Sequence, residues 1–157
     1  MSDLLEDIGS GHNIVATVYL EWLSMYRAGG PEEMRPVGET EFANGVAAMC
    51  ASGIYGDVRV CAGIVGHANL ALGAAVRPVL EAHIAAGGGR FRGIRHILTW
   101  DPDPSLLNPA YPTPEVMMDT PEFRAGFAEL APLDLSFDAW LYFHQIPRLT
   151  SDRKSVV

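Results

Sequence analysis

Cysteine, long apolar runs and clustered positive charge are all scarce in this chain. Cys50 and Cys61 are its two cysteines. They show no C-x-x-C spacing, so neither a disulfide framework nor a zinc ribbon is indicated. They read as buried thiols in a reducing compartment. No segment approaches the roughly 20 apolar residues that a membrane-spanning helix needs. The opening MSDLLEDIGSG is acidic and has no apolar core, which argues against a secretory signal. A cytoplasmic protein is the expectation. Net charge is −8, with no basic cluster longer than Arg153-Lys154, and this argues against nucleic acid and anionic membrane surfaces as partners. There is no G-x-S-x-G elbow, no H-x-H and no H-E-x-x-H. The glycines of GGGRFRG precede a strand, whereas a dinucleotide loop follows one and opens a helix.

What is present is an ordinary globular balance, 48% hydrophobic and 19% charged over 157 residues, enough for one domain with a core. Apolar runs alternate with helical patterns. IVATVYLE (14–21), VRVCAGIV (58–65), FRGIRH (91–96) and SFDAWLYFH (136–144) read as strands. Between them, residues 39–52 place Phe42, Val46, Met49 and Cys50 on one helical face. Residues 72–86 do the same with Leu72, Val76, Val79 and Leu80, and Gly87-Gly88-Gly89 stops that helix. A proline-rich loop covers 101–119. Thr120-Pro121 opens a helix as N-cap and first helical residue. Ile146-Pro147 begins another.

This order predicts an α/β fold with parallel strands. The strand faces choose between an open doubly wound sheet and a barrel. Each strand has an apolar face suited to helices. Its other face is mixed and ends in Glu21, His67, His96 or His144. A doubly wound sheet wants both faces apolar. A barrel with a polar mouth at its C-terminal strand ends wants this pattern. The expectation is therefore about four βα units of a (β/α)8 barrel.

The candidate residues sit at those strand ends. His96 can polarise a carbonyl, ligate a metal or move a proton, or it can be a hydrogen-bonded histidine closing a strand. Arg95 can bind a carboxylate through its planar fork. By strict alternation, however, Arg95 and His96 point opposite ways. Arg92 reads as a structural ion-pair partner, with Asp138 a candidate mate. His144 with Gln145 ends the fourth strand. Glu21 reads as a base, a metal ligand, a hydroxyl anchor or the mate of an arginine such as Arg95. His67 is a site residue or a helix-entry residue. His12 reads as structural, and His83 as partly exposed on a helix.

The segments GHNIVATVYLEW, MYRAGGPEEMRPVGETEF, RVCAGIVGHANL, GGGRFRGIRH and LSFDAWLYFHQIP resemble the amidohydrolase-related family. The closer likeness is to its metal-dependent TIM-barrel branch, which holds sugar lactonases and the pyrone-dicarboxylate lactonase. The resemblance runs from Leu4 to Ser151. It implies a hydrolase that attacks a lactone or another small carboxylated ester with activated water. Arg95 and His96 would polarise the carbonyl. His144 would be a ligand or proton carrier. Glu21, His67, Tyr142 and Gln145 would line the substrate pocket. A divalent metal such as Zn or Mn is implied in the intact protein, with His144 and Glu21 as candidate ligands, although some relatives work without one. Trp22, where a small residue is expected, and Phe143, where some relatives carry the histidine, depart from the pattern.

The resemblance also implies an upstream strand with an H-x-H, and downstream strands with a further histidine and the water-activating aspartate. The expectation is a chain truncated at both ends, an incomplete domain over 1–151, inactive by itself. DRKSVV (152–157) matches the translation of a common sequencing adapter, which makes this tail an expected artefact of a metagenomic fragment; the other reading is a natural basic C-terminal turn. A second functional class stays open, a short non-catalytic α/β module that binds or self-assembles. A small-molecule substrate and a homo-oligomer are the partners considered.

Overall fold

The computed structural model describes residues 1–109 and 111–153. Of the tail 152–157, residues 154–157 lie outside the described residues, and the helical backbone continues through Arg153. The elements are α1 (Ser2–Ile8), β1 (Ala16–Leu20), α2 (Val37–Ala51), β2 (Arg59–His67), α3 (Arg77–Ala86), β3 (Phe91–Ile97), α4 (Pro121–Ala128), β4 (Ser136–Trp140) and α5 (Ile146–Arg153). Short 3₁₀ turns include Leu70–Val76 and Phe143–Gln145.

The fold is α/β, with parallel strands in the order β1-β2-β3-β4. A doubly wound sheet reverses its strand order at a switch point. Here the spatial order follows the sequence, as in consecutive units of a (β/α)8 barrel. Among the described residues, no helix is long and apolar enough to cross a membrane.

The chain divides into two compact units. The first comprises residues 1–66 and 82–92. There β1 pairs with β2, and the register slips between Ala16, opposite Arg59, and Val18, opposite Gly63. β1 advances two residues while β2 advances four. Cys61 lies in this bulge at φ 52°, its N–H donated to Thr17 Oγ1 at 3.0 Å. The buried face of α2 is Thr40, Ala43, Ala47 and Cys50, a spacing of three and four residues. This corrects the expected face, since Phe42 and Met49 are 44% and 46% exposed. Small residues let α2 approach its neighbours closely and turn the large ones outward. His83, expected to be partly exposed, is fully buried. Its ring stacks on Phe91 and its Nδ1 lies 2.8 Å from Thr40 Oγ1.

The second unit comprises residues 67–81 and those from Gly93 on. β3 pairs with β4 in unbroken register from Gly93–Ser136 to Ile97–Trp140. Thr120 caps α4 as expected, its hydroxyl accepting the Phe123 N–H at 3.2 Å with Pro121 at the first helical position. Phe123, Phe127 and Phe137 pack ring against ring, which joins α4 to β4. A Cβ at Gly126 would fall 2.1 Å from the Leu70 carbonyl oxygen, so only glycine lets α4 lie against the turn Leu70–Val76. The fourth strand is shorter than expected and ends at Trp140 rather than at His144.

Candidate functional site

At the end of β1 the polar and apolar faces are exchanged relative to expectation. Val18 is 61% exposed and Leu20 43%. The mixed face is the buried one: Tyr19 reaches Glu39 on α2, and Glu21 is fully buried. The cause is Glu39 in the first turn of α2. Its Oε1 accepts the Tyr19 hydroxyl at 2.8 Å, the Trp22 N–H at 2.8 Å, and the Ser24 hydroxyl and N–H at 3.1 and 3.4 Å. A buried carboxylate must be hydrogen-bonded to remain in the core. Glu39 meets that need by drawing in the polar face of β1 and the loop behind it. Burial and the hydrogen bond to Glu39 push the Tyr19 phenol up to about 12, so it stays a donor.

The loop after β1 is strained. Leu23 and Met25 have φ of 59° and 54°, in the left-handed region that non-glycine residues rarely enter. Gly38 allows the loop to fold back. A Cβ there would stand 2.6 Å from the Arg27 nitrogen and from the Met25 carbonyl oxygen. Arg27 is then tied to Glu41, and Thr40 reaches His83. Each residue of Gly38-Glu39-Thr40-Glu41 thus has a defined task. Glu39 is the site residue that the strand-end reading missed. The sequence carries no clear signal for it, because the bulk of Phe42 and Met49 misleads about the inward side of α2.

At the ends of β2 and β3, His67 and His96 come together. Their rings are 5.4 Å apart, edge to face, with Tyr111 6.2 Å from His67 and Phe123 5.5 Å from His96. Both histidines are buried. His67 Nδ1 lies 3.1 Å from the Arg95 carbonyl oxygen. A carbonyl can only accept, so Nδ1 carries a proton. His96 is the opposite tautomer. Its Nδ1 accepts the Leu70 N–H at 3.4 Å, which leaves the proton on Nε2. Burial, with the charge of His67 as a smaller cause, lowers the His96 pKa to about 3, so its ring is neutral at ordinary pH.

Arg95 and His96 point apart, as alternation requires. The Arg95 guanidinium places Nε 2.7 Å and Nη2 2.6 Å from Asp138 Oδ2 and lies over the Trp140 ring. Asp138 is therefore the mate of Arg95, across the β3–β4 register. This corrects the expected pairing with Arg92, whose Nη1 donates to the Phe91 carbonyl. Arg95 and His96 do not converge on one point as a carbonyl-polarising pair. Arg95, Asp138, Trp140 and Leu141 instead line a shallow groove of about 280 Å³.

The remaining candidates lie on the turn after β4. His144 donates Nε2–H to the Trp100 carbonyl at 3.1 Å, and its Nδ1 is 3.7 Å from Asp101. The Tyr142 hydroxyl donates to the Leu106 carbonyl. Gln145 is buried. Its Oε1 accepts the N–H groups of Trp100 and Tyr142 at 3.1 and 3.0 Å, and its Nε2 donates to the Leu98 carbonyl at 2.8 Å. Its amide closes a backbone clamp between the exits of β3 and β4. Among the described residues, no group of three or more His, Cys, Asp or Glu side chains is placed to hold a metal ion, so neither Glu21 nor His144 stands in an assembled ligand set.

No protein-family model matches the chain, and no solved structure matches it. It is 34% identical over 148 residues to a protein of Sinorhizobium fredii (strain NBRC 101917 / NGR234) whose name is Uncharacterized protein y4mH. The match covers 93% of this chain and 42% of that relative, so the chain spans less than half the length of the curated protein it matches.

Proposed function

We propose that the chain supplies four consecutive βα units of a (β/α)8 hydrolase, of the kind the amidohydrolase-related resemblance suggests. The substrate would be a lactone or another small carboxylated ester. One observation carries this reading: two buried imidazoles stand edge to face, 5.4 Å apart, at the C-terminal ends of β2 and β3, one with Nδ1 against a backbone carbonyl and the other with Nδ1 against a backbone N–H. A neutral His96 with its proton on Nε2 is a hydrogen-bond donor suited to a carbonyl oxygen. His67 has Nδ1 tied to a backbone carbonyl, and in its neutral form it would act as the base through Nε2. Water would give a proton to His67 Nε2 as its oxygen adds to the ester carbon. His96 Nε2–H would stabilise the oxyanion. The proton on His67 would then pass to the leaving alkoxide, yielding acid and alcohol. Arg95 has no part in polarising this carbonyl. A divalent metal enters only as an arm of the test, because the described residues assemble no ligand set for it.

The test reads the imidazoles directly. Long-range ¹H–¹⁵N spectra of the chain should show His67 as the Nδ1–H tautomer and His96 as the Nε2–H tautomer. A panel of small lactones should shift both sets of signals, with and without added Zn or Mn. Lactones that leave both rings unmoved in every arm sink the reading.

A second reading rests on the apolar face of β1, where Val18 and Leu20 are exposed, as is Trp22 in the loop that follows. Contiguous apolar surface of this kind marks an interaction site, and copies of the chain could pair through it. Sedimentation velocity separates the two readings, since Val18→Lys would abolish such a dimer and leave the imidazoles unchanged.

A further inference from the structure

A cleft in the first unit lies away from every residue discussed so far as a site. It occupies about 440 Å³ where the C-terminal half of α2 meets the entry to β2. This is the strand end opposite Glu21, whose N–H bonds to Val65 near the other end of β2. The floor is apolar, formed by Ala47, Cys50 and Val60, all buried. The charged groups lining it are Arg59, Arg90 and Asp57.

The two arginines differ in how they are held. Arg90 is positioned: its Nη1 donates to Asn44 Oδ1 at 2.8 Å. Among the described residues, neither guanidinium is in an ion pair, and that of Arg59 makes no side-chain hydrogen bond. With Asp57, the formal charge around the cleft is one positive. A volume of this size is within the usual range for small-ligand pockets. Small apolar residues below and an uncompensated arginine fork at the rim fit one kind of molecule, with an apolar body and a planar monoanionic head.

We propose that this cleft binds a short aliphatic monocarboxylate. Its methylenes lie on Ala47, Cys50 and Val60, and its carboxylate is taken by Arg59 and Arg90. This does not depend on the hydrolase reading, because no residue of the cleft belongs to the histidine pair or to the Glu39 cluster.

Calorimetric titration of the chain at neutral pH and low salt, with four probes, tests it. Hexanoate should bind more tightly than butanoate, by about threefold to fourfold per added methylene. Hexan-1-ol and inorganic phosphate should each bind about tenfold or more weakly than hexanoate, the first lacking the charge and the second the apolar body. Arg59→Gln should weaken hexanoate about tenfold. Ala47→Leu should remove binding by filling the floor. If that variant does not fold, Ala51→Leu on the cleft wall replaces it. No hexanoate binding up to about 10 mM, phosphate bound as tightly as hexanoate, or an Arg59→Gln protein that binds like the parent would each overturn the assignment.

Discussion

Glu39 Oε1 and the backbone nitrogen of Trp22 are 2.8 Å apart, which makes a helix side chain the acceptor for a loop whose backbone is strained. The carboxylate holds Tyr19, Trp22 and Ser24 at once. Removing it takes the shared acceptor from a part-buried hydroxyl and a part-buried backbone N–H.

Glu39→Ala is therefore expected to lower stability by about 2–4 kcal/mol. Glu39→Gln should cost about half as much, since its amide oxygen can still accept. The other carboxylate oxygen has no hydrogen-bond partner among the described residues, so an amide nitrogen placed there would go unsatisfied. Urea denaturation midpoints for the two variants check this. A loss under about 1 kcal/mol for Glu39→Ala would remove the clamp from consideration.

Three glycine-to-alanine changes should separate by sign. At Gly38 the new methyl meets the Met25 and Arg27 backbone, and at Gly126 it meets the Leu70 carbonyl. Neither backbone can yield cheaply, so each change should destabilise by about 2–4 kcal/mol. Gly45, exposed in the middle of α2, has nothing within 4 Å of the added carbon. Gly45→Ala should raise stability by about 0.5–1 kcal/mol. Thermal melts of the three proteins read the order directly.

His96 makes stability depend on pH in one direction. Unfolded, it takes up a proton near 6.5; folded, near 3. Between those values the unfolded chain binds more protons, so stability falls as pH drops through this window and is insensitive to His96 above it. The slope from this residue is at most about 1.4 kcal/mol per pH unit. His96→Phe should flatten the acid limb of a stability–pH curve relative to the parent. In the parent, the His96 C2 proton should show no titration down to about pH 4.

Gln145→Ala should loosen the exits of β3 and β4 together. Its amide serves the backbone of Leu98, Trp100 and Tyr142. The variant is expected to lose about 2–3 kcal/mol. Faster amide exchange at Trp100 and Tyr142, with Ile94 still protected, would locate the loss at the clamp.

Much of the architecture was legible because it rests on periodicity. Four strands, their order with the helices and the Thr120 cap follow from spacing and turn residues. The opposed directions of Arg95 and His96 follow from alternation. What misled was ranking faces by size. The bulky Phe42 and Met49 suggested the inner side of α2, whereas Ala43 and Ala47 occupy it because close approach selects small residues. On β1, Val18 and Leu20 suggested the helix-facing side, but one buried carboxylate on α2 turned Tyr19 and Glu21 inward. A single long-range hydrogen-bond acceptor outweighs local hydrophobicity, and no pattern within the strand reveals it. Strand-end histidines were visible. Their tautomers were not, since those depend on which backbone group each Nδ1 meets.

The bulge at Cys61 has a consequence for the lengths this gene can tolerate. β2 holds two residues more than β1 across the slip. A bulge takes up residues that have no opposite number and lets the pairing resume beyond it, so a codon lost between Arg59 and Gly63 can be absorbed there. From Gly63 to Val65 the pairing with β1 is regular, and a codon lost in that stretch would displace Ile64 and His67. Length variation in this gene should therefore gather at the left-handed cysteine and be missing from the regular run that follows it.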